Sequence, residues 1–250
     1  MNSSAHTFYS GTSGLVLPVP QSLYPPEFAG KSRLTYYASL FNSIEINSSF
    51  YKTPKVSTVI KWAESVPDNF KFTFKLSKTI THAKGLDFNA EDIEQFMQTI
   101  AHMGNKKGCL LIQFPPSLKV EKCNQLQQLL MKIKDVSEDN FWKIALEFRN
   151  PSWYHKEVYD LLNQNNVSLV IHDLPAVATP LTVSTGNLKY LRFHGPGGKY
   201  RGNYPDEFLY QYGQYIKHWI NEGKEVYFYF NNTMGDAVKN LQTLNGFLQP

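Results

Sequence analysis

The sequence predicts an α/β fold, a single (β/α)8 barrel of the TIM type over residues 1–250. Three observations predict it: eight short apolar or β-branched runs, amphipathic segments between most of them, and a length typical of one such barrel. An open doubly wound sheet is the second choice, because it also alternates strands with helices. No repeat of fixed period and no low-complexity linker divides the chain further.

The apolar runs are predicted to be parallel strands, and the segments between them crossover helices. The strands cover residues 8–15, 42–47, 71–76, 109–114, 143–148, 168–172, 189–193 and 225–230. The helices cover residues 34–40, 56–65, 91–100, 126–133, 156–162, 208–219 and 237–247. In segment 91–100, Ile93, Phe96, Met97 and Ile100 share one helical stripe. The link 173–187 is too short and too rich in Thr and Pro for a full helix.

Composition narrows the class of protein. The chain is 42% hydrophobic, which suffices for a full core, and its net charge of +4 is scattered rather than gathered into the basic stripe of a nucleic-acid binder. Cys109 and Cys123 show no metal-ligand spacing, which predicts a reducing, cytoplasmic setting. Residues 1–6 lack the pattern of a leader peptide, and no apolar run is long enough for a membrane span.

Polar residues gather where the predicted strands end. Side chains alternate between the faces of a strand, so Glu147 and Arg149 point the same way before Asn150-Pro151 ends the strand. The plain alternative is a structural ion pair. The same two-residue step recurs at other strand ends, in Glu45 with Asn47 and in Arg192 with His194. Active sites of these barrels lie at the carboxyl ends of the strands, so we expect the site there.

Six motifs occur in order along the chain, at residues 11–14, 41–51, 72–75 followed by Thr81-His82, 146–153, 191–195 and 229–232. On these motifs the sequence resembles the domain of unknown function 72 family. The resemblance implies a TIM-type barrel whose signature residues line one mouth, and it implies no reaction. It carries a site role onto Glu45, Asn47, Tyr51, Lys75, His82, Glu147, Arg149, Arg192, His194 and Asn231. After Lys75 the family pattern is more basic or apolar than Leu76-Ser77, so Ser77 receives no role.

The mixture of carboxylates, cations and histidines at the mouth predicts a metal-independent enzyme. We expect it to perform acid–base chemistry on a small phosphorylated or carboxylated molecule, without a metal or cofactor. The candidate catalytic residues are Glu45, Lys75, His82, Glu147, Asp173 and His194. The candidate ligand-binding residues are Thr12, Asn47, Tyr51, Arg149, His172, Arg192 and Asn231.

The glycine-rich loop 195–204, with Lys199 and Arg201, follows the seventh strand, where barrels often bind phosphate. Glycine in such a loop is equally consistent with turn formation alone. We predict an anion within hydrogen-bond reach of Arg192 and of at least one further group. That group is Arg149, Lys75, His194 or Asn231.

Two other functions stay open. The first is a metal-dependent phosphoesterase or nuclease-like barrel, whose ligands would come from Glu45, Glu147, His172, Asp173 and His194. Three neighbouring cations, Lys75, Arg149 and Arg192, disfavour it. The second is a non-catalytic barrel that binds a ligand or nucleic acid, suggested by the positive charge and by Tyr200, Tyr204 and Tyr210 as surface aromatics. The oligomeric state is not predicted.

Overall fold

Eight parallel strands form the framework of the protein. The computed structural model describes residues 8–137, 142–181 and 183–249. The strands are β1 (Phe8–Thr12), β2 (Ser43–Ile46), β3 (Lys71–Lys75), β4 (Lys107–Gln113), β5 (Lys143–Glu147), β6 (Ser168–His172), β7 (Leu188–Phe193) and β8 (Glu225–Phe230). They pair in the order β1-β8-β7-β6-β5-β4-β3-β2, which makes a nearly closed barrel and confirms the predicted fold.

Helices connect most of the strands on the outside. The α-helices are α1 (Arg33–Leu40), α2 (Ser48–Tyr51), α3 (Val56–Glu64), α4 (Lys78–Thr81), α5 (Ala90–Ala101), α6 (Cys123–Ser137), α7 (Lys156–Gln164), α8 (Asp206–Asn221) and α9 (Ala237–Leu248). All seven predicted helices are present. The short helices α2 and α4, which directly follow β2 and β3, were not predicted. The described part of the link between β6 and β7 contains no helix, as expected.

Side chains help to close the barrel between β1 and β2. The hydroxyl of Tyr37 accepts from the amide of Thr12 at 2.7 Å and donates to the carbonyl of Ser43 at 3.2 Å. Backbone pairing between these two strands is limited to an isolated bridge from Ser13 to Glu45. Tyr37 shares this task with Asn42, whose side chain accepts from the Ser10 amide and donates to the Phe8 carbonyl.

Tyrosines fill the inside of the barrel below the mouth. Tyr190, Tyr227 and Tyr229 are fully buried, with ring centroids 6.4 Å apart for Tyr190 and Tyr227 and 5.4 Å apart for Tyr190 and Tyr229. The Tyr229 hydroxyl lies 2.6 Å from Ser43 Oγ and 2.8 Å from Thr73 Oγ1. The interior is thus a packed core, as in other barrels of this class, and chemistry is confined to an end.

The predictions on membrane spans, cysteines and the first residues can be compared with the structure. No helix in the described ranges is long and apolar enough to span a membrane. Both cysteines are free; Cys109 is buried and Cys123 is partly exposed. The prediction made on residues 1–6 falls outside the described residues.

Candidate functional site

Buried charges form the floor of the carboxyl-terminal mouth. Arg192 on β7 donates to Glu45 on β2 through two bonds, Nη2 to Oε1 at 2.7 Å and Nε to Oε2 at 3.0 Å. Its Nη1 donates to Oε2 of Glu147 on β5 at 2.7 Å. Tyr190 adds a hydroxyl bond to Glu45 Oε2 at 2.6 Å. The two carboxylates are 0% exposed and Arg192 is 1% exposed, so this guanidinium is fully committed inside the protein.

Arg149 lies above this floor, nearer to solvent. Its Nε and Nη2 contact Glu147 Oε1, which confirms that Glu147 and Arg149 share a face. Nη2 also lies 3.0 Å from His194 Nε2. The Arg149 side chain is 12% exposed, and among the described residues its Nη1 has no hydrogen-bond partner. Arg149 therefore forms the ion pair with Glu147 that the structural alternative predicted. The two N–H groups of its Nη1 are still available to a ligand.

The two buried glutamates are ionised. Burial alone would raise the pKa of the Glu147 carboxyl, yet the guanidiniums of Arg149 and Arg192 hold it well below its usual range. Burial also opposes ionisation of Glu45, and the charge of Arg192 lowers the pKa of that carboxyl. Carboxylates held this firmly in the charged form are weak proton acceptors at neutral pH.

His194 is neutral, and its two ring nitrogens have different tasks. Nε2 lies 3.0 Å from Arg149 Nη2 and 3.3 Å from Arg192 Nη1. A guanidinium can only donate, so Nε2 accepts and the ring proton is on Nδ1. Nδ1 lies 3.4 Å from Asp173 Oδ1, an ionic approach longer than an ordinary hydrogen bond. Burial lowers the pKa of His194, and the two guanidiniums oppose a second proton.

His172 at the end of β6 is also uncharged. Its Nε2 lies 3.0 Å from the carbonyl oxygen of Phe148, which accepts the ring proton, and 3.2 Å from the hydroxyl of Tyr154. Burial lowers the pKa of His172 to about 4. Nδ1 is then an unprotonated acceptor, and it has no partner among the described residues.

Tyr204 corrects one expectation. It was predicted to be a surface aromatic, but it is 2% exposed because its ring stacks on Phe208 with centroids 4.8 Å apart. Its hydroxyl donates to Asp173 Oδ2 and accepts from the Gly195 amide at 2.5 Å. Asp173 Oδ1 accepts from the backbone amide of His194 at 2.8 Å. Asp173 therefore anchors the start of the loop after β7.

Lys75 and His82 share one aromatic ring. Lys75 ends β3, and its ammonium lies 4.1 Å from the centroid of Phe50, which belongs to α2. His82, at the end of α4, packs edge-on against the same ring at 5.0 Å. Burial, assisted by the charge of Arg192, lowers the pKa of Lys75 to about 8. Partial desolvation of the His82 ring and then the charge of Lys75 lower the pKa of His82.

The other predicted ligand-binding residues lie around this cluster. Thr12 is fully buried in the seam, where its hydroxyl donates to the Gly14 carbonyl at 2.7 Å. Tyr51 is 69% exposed and packs against Phe50 rather than joining the buried charges. Asn47 and Asn231 follow β2 and β8, and the side chain of Asn231 is 9% exposed with no hydrogen-bond partner among the described residues.

The glycine-rich loop is folded back on itself by backbone hydrogen bonds. The Gly198 amide bonds to the Gly195 carbonyl at 2.7 Å, and the Tyr200 amide bonds to the His194 carbonyl at 2.8 Å. Lys199 and Arg201 are exposed on the loop. The Arg192 guanidinium already donates to Glu45 and Glu147, and an anion beside Arg192 stays a prediction.

Unpartnered polar atoms concentrate at this end of the barrel. Within the described ranges, eight buried side-chain nitrogen or oxygen atoms lack a hydrogen-bond partner. Five of them follow or end strands at the mouth: Ser13 Oγ, Asn47 Oδ1, His172 Nδ1, His194 Nδ1 and Asn232 Oδ1. Because burying such atoms without a partner is costly, the mouth offers polar groups to a bound molecule or to water.

The side chains suggested as metal ligands are otherwise engaged. Across the part of the chain that the structure describes, no three His, Cys, Asp or Glu side chains come together as a metal site. The oxygens of Glu45 and Glu147 face guanidinium groups, and His194 Nε2 does the same. The donors therefore do not converge on one point, as ligands of a dication must.

A cleft of about 540 Å³ lies at the opposite end of the barrel, near the starts of β5 to β8. Trp142, Ser168 and Leu188 line it, together with Lys143 and Glu225, which form an ion pair. The mouth, in contrast, holds buried carboxylates and cationic groups that are left open, and we therefore place the candidate site at the mouth.

Comparison with known proteins agrees with this fold. A family model described as "Protein of unknown function DUF72" matches residues 9–250. The chain is 31% identical to the UPF0759 protein YunF of Bacillus subtilis, over 88% of this chain and 87% of that protein. It is similar in structure to a DUF72 family protein of Enterococcus faecalis V583, with a TM-score of 0.80, 25% identity, and coverage of 96% and 95%. A DUF72 family protein of Thermotoga maritima shares the fold, with a TM-score of 0.81, 24% identity, and coverage of 98% and 100%.

Proposed function

The chain belongs to the DUF72 family, for which no reaction is established, and from the geometry of its mouth we propose that it is an enzyme acting on a small anionic molecule. In this proposal Arg149 binds the anion, and Lys75 and His82 transfer protons. The proposal rests on two cationic groups that have no hydrogen-bond partner among the described residues, Arg149 Nη1 and the Lys75 ammonium. Both lie above buried charges that are paired with each other.

Anion binding follows from how the charges are paired. Glu45 and Glu147 are both held by Arg192, and Glu147 also holds Arg149. Among the described residues, no carboxylate contacts the ammonium of Lys75. A phosphate or carboxylate at the mouth would accept from Arg149 Nη1 and supply the counter-charge that Lys75 lacks.

Proton transfer falls to Lys75 and His82 by the same reasoning. Glu45 and Glu147 are fixed as anions, and the acceptor nitrogen of His194 is blocked by two guanidiniums. We therefore give Glu45, Glu147 and His194 a positioning role. Burial and the charge of Arg192 lower the pKa of Lys75 to about 8, so this amine can exchange a proton near neutral pH. The proposal thus keeps two of the six catalytic residues predicted from the sequence, Lys75 and His82.

Substitution of Arg149 is expected to weaken anion binding more than it weakens the fold. Arg149→Ala removes the open Nη1 group, while Glu147 keeps its bond to Arg192 at 2.7 Å. Inorganic phosphate, titrated by calorimetry or by chemical shift changes in labelled protein, should bind about tenfold more weakly, as expected for the loss of a charged hydrogen bond. The melting temperature should fall by only a few degrees.

Arg201→Ala is the matched control, because Arg201 is an exposed arginine on the neighbouring loop. It should leave phosphate binding unchanged. If Arg201→Ala weakened binding and Arg149→Ala did not, the anion would belong to the loop, and Arg149 would have a structural role only.

A further inference from the structure

Lys75 has the surroundings of a reactive amine. Its side chain comes from the last residue of β3 and reaches over the Phe50 ring, with the ammonium 4.1 Å from the ring centroid. In the described part of the chain this ammonium has no hydrogen bond and no ion pair. The other two cations of the mouth, Arg149 and Arg192, are both tied to carboxylates. Lys75 can therefore move toward a bound molecule without breaking an ion pair.

The neutral form of this amine is accessible near neutral pH. Burial lowers the pKa of Lys75 to about 8, and the charges of Arg192 and Arg149 act in the same direction. About one Lys75 in ten is then uncharged at pH 7, compared with about one in a few thousand for an ordinary lysine. An uncharged amine is the form that attacks an electrophile.

His82 is placed to handle the accompanying protons. Its ring rests edge-on against the same Phe50 ring, with centroids 5.0 Å apart. Its Nδ1 lies 2.9 Å from the hydroxyl of Thr81, and among the described residues Nε2 has no partner. Burial and the nearby charge of Lys75 lower the pKa of His82, which keeps the ring neutral and able to accept a proton. Phe50 thus contacts both an amine, at the end of β3, and a proton acceptor, directly after α4.

We propose that Lys75 forms a Schiff base with a small anionic aldehyde or ketone, whose anionic group is bound by Arg149. The inference rests on the proposed function and names its substrate class as carbonyl compounds. It does not depend on Arg192, which stays bonded to Glu45 and Glu147 throughout.

The chemistry balances without an oxidant or reductant. The Lys75 nitrogen attacks the carbonyl carbon and forms a C–N bond, while the C=O π electrons move to oxygen, which takes up a proton from solvent. The nitrogen loses a proton to His82, which then returns it to the hydroxyl group of the carbinolamine. That group leaves as water, and the nitrogen lone pair completes the C=N bond of a protonated Schiff base, whose positive charge is that of the proton taken from solvent.

Reductive trapping tests the proposal on the intact protein. Glyoxylate and sodium cyanoborohydride are added at about pH 7, and the modified lysines are identified by peptide mass spectrometry. We expect Lys75 to be modified at least about tenfold faster than exposed Lys78, because of its larger neutral fraction. Phosphate should slow the reaction by competing for Arg149. Equal modification of Lys75 and Lys78, or no adduct on Lys75, would overturn the proposal.

Two variants separate the role of the Lys75 amine in adduct formation from the role of Arg149 in anion binding. Lys75→Arg keeps the positive charge over Phe50 and should lose the adduct while still binding phosphate. Arg149→Ala should slow trapping of glyoxylate more than trapping of neutral acetaldehyde, because both aldehydes lose the effect of Arg149 on the Lys75 pKa but glyoxylate alone also loses its anion contact; equal slowing of both aldehydes would contradict the role given to Arg149. Phosphate binding without a Lys75 adduct would sink the Schiff base alone, whereas absence of both would sink the proposed function as well.

Discussion

Arg192→Met is expected to lower the free energy of unfolding by about 3–5 kcal/mol, a large part of the stability of an ordinary domain. Arg192 is 1% exposed and holds two fully buried carboxylates, Glu45 and Glu147. Methionine fills much of the same volume but leaves Glu45 with only the hydroxyl of Tyr190 as a donor from this cluster. Urea unfolding followed by circular dichroism would measure the loss.

The triple variant Arg192→Met/Glu45→Gln/Glu147→Gln identifies the cause of that loss. It removes the buried negative charges together with their partner, so it should be more stable than Arg192→Met alone. If the triple variant were equally unstable or less stable, lost packing and hydrogen bonding, rather than unpaired charge, would explain the effect of Arg192→Met.

Gly11→Ala is expected to cost about 3 kcal/mol, at the upper end of what overpacking usually costs. A Cβ at position 11 would lie 2.0 Å from the carbonyl oxygen of Ser43 and 2.8 Å from the hydroxyl of Tyr37. Both atoms belong to the seam between β1 and β2, where backbone pairing is limited to a single bridge. Relief of the clash must push the two strands apart, directly below Glu45.

Gly197→Ala provides the comparison for this variant. A Cβ at position 197 would meet no atom within 4 Å, and the residue does not have a positive φ. The change should alter stability by less than about 0.5 kcal/mol. The two variants, compared by thermal and urea unfolding, separate the steric requirement of the seam from the general effect of replacing glycine. Equal stability of Gly11→Ala and the parent would show that the seam is looser than described.

The location of the site could be predicted from the sequence because two simple rules combine. Alternation along a strand puts Glu147 with Arg149, and Arg192 with His194, on common faces. The parallel barrel then brings all the strand ends to one mouth. The same alternation could have found Tyr190, which lies two residues before Arg192 and bonds to Glu45.

The pairing within the site could not be predicted in this way. Arg192 joins Glu45 on β2 to Glu147 on β5, and the choice of partners across the barrel depends on strand tilt and rotamers. Lys75 has no ion-pair partner among the described residues because Glu45 and Glu147 pair with the two arginines instead. The burial of Tyr204 depends on stacking against Phe208 in α8, and no local pattern distinguishes it from a surface tyrosine.

The helix α2 is a further element that could not be predicted from the sequence. It is four residues long, too short for a periodicity signal, yet it carries the Phe50 ring that both Lys75 and His82 contact. The sequence therefore predicted Lys75 and His82 as site residues without predicting what brings them together.

The protonation of Lys75 tests the account most directly. Carbon-13 labelling of lysine side chains allows each amine to be titrated by NMR, and the Lys75→Arg variant identifies the Lys75 signal. We expect a pKa of about 8 for Lys75 in the free protein, because of burial and the charge of Arg192. Saturating phosphate should raise that pKa, since a bound anion favours the charged amine. A Lys75 pKa near the ordinary value of about 10.4, unchanged by phosphate, would contradict both the anion site and the reactive amine.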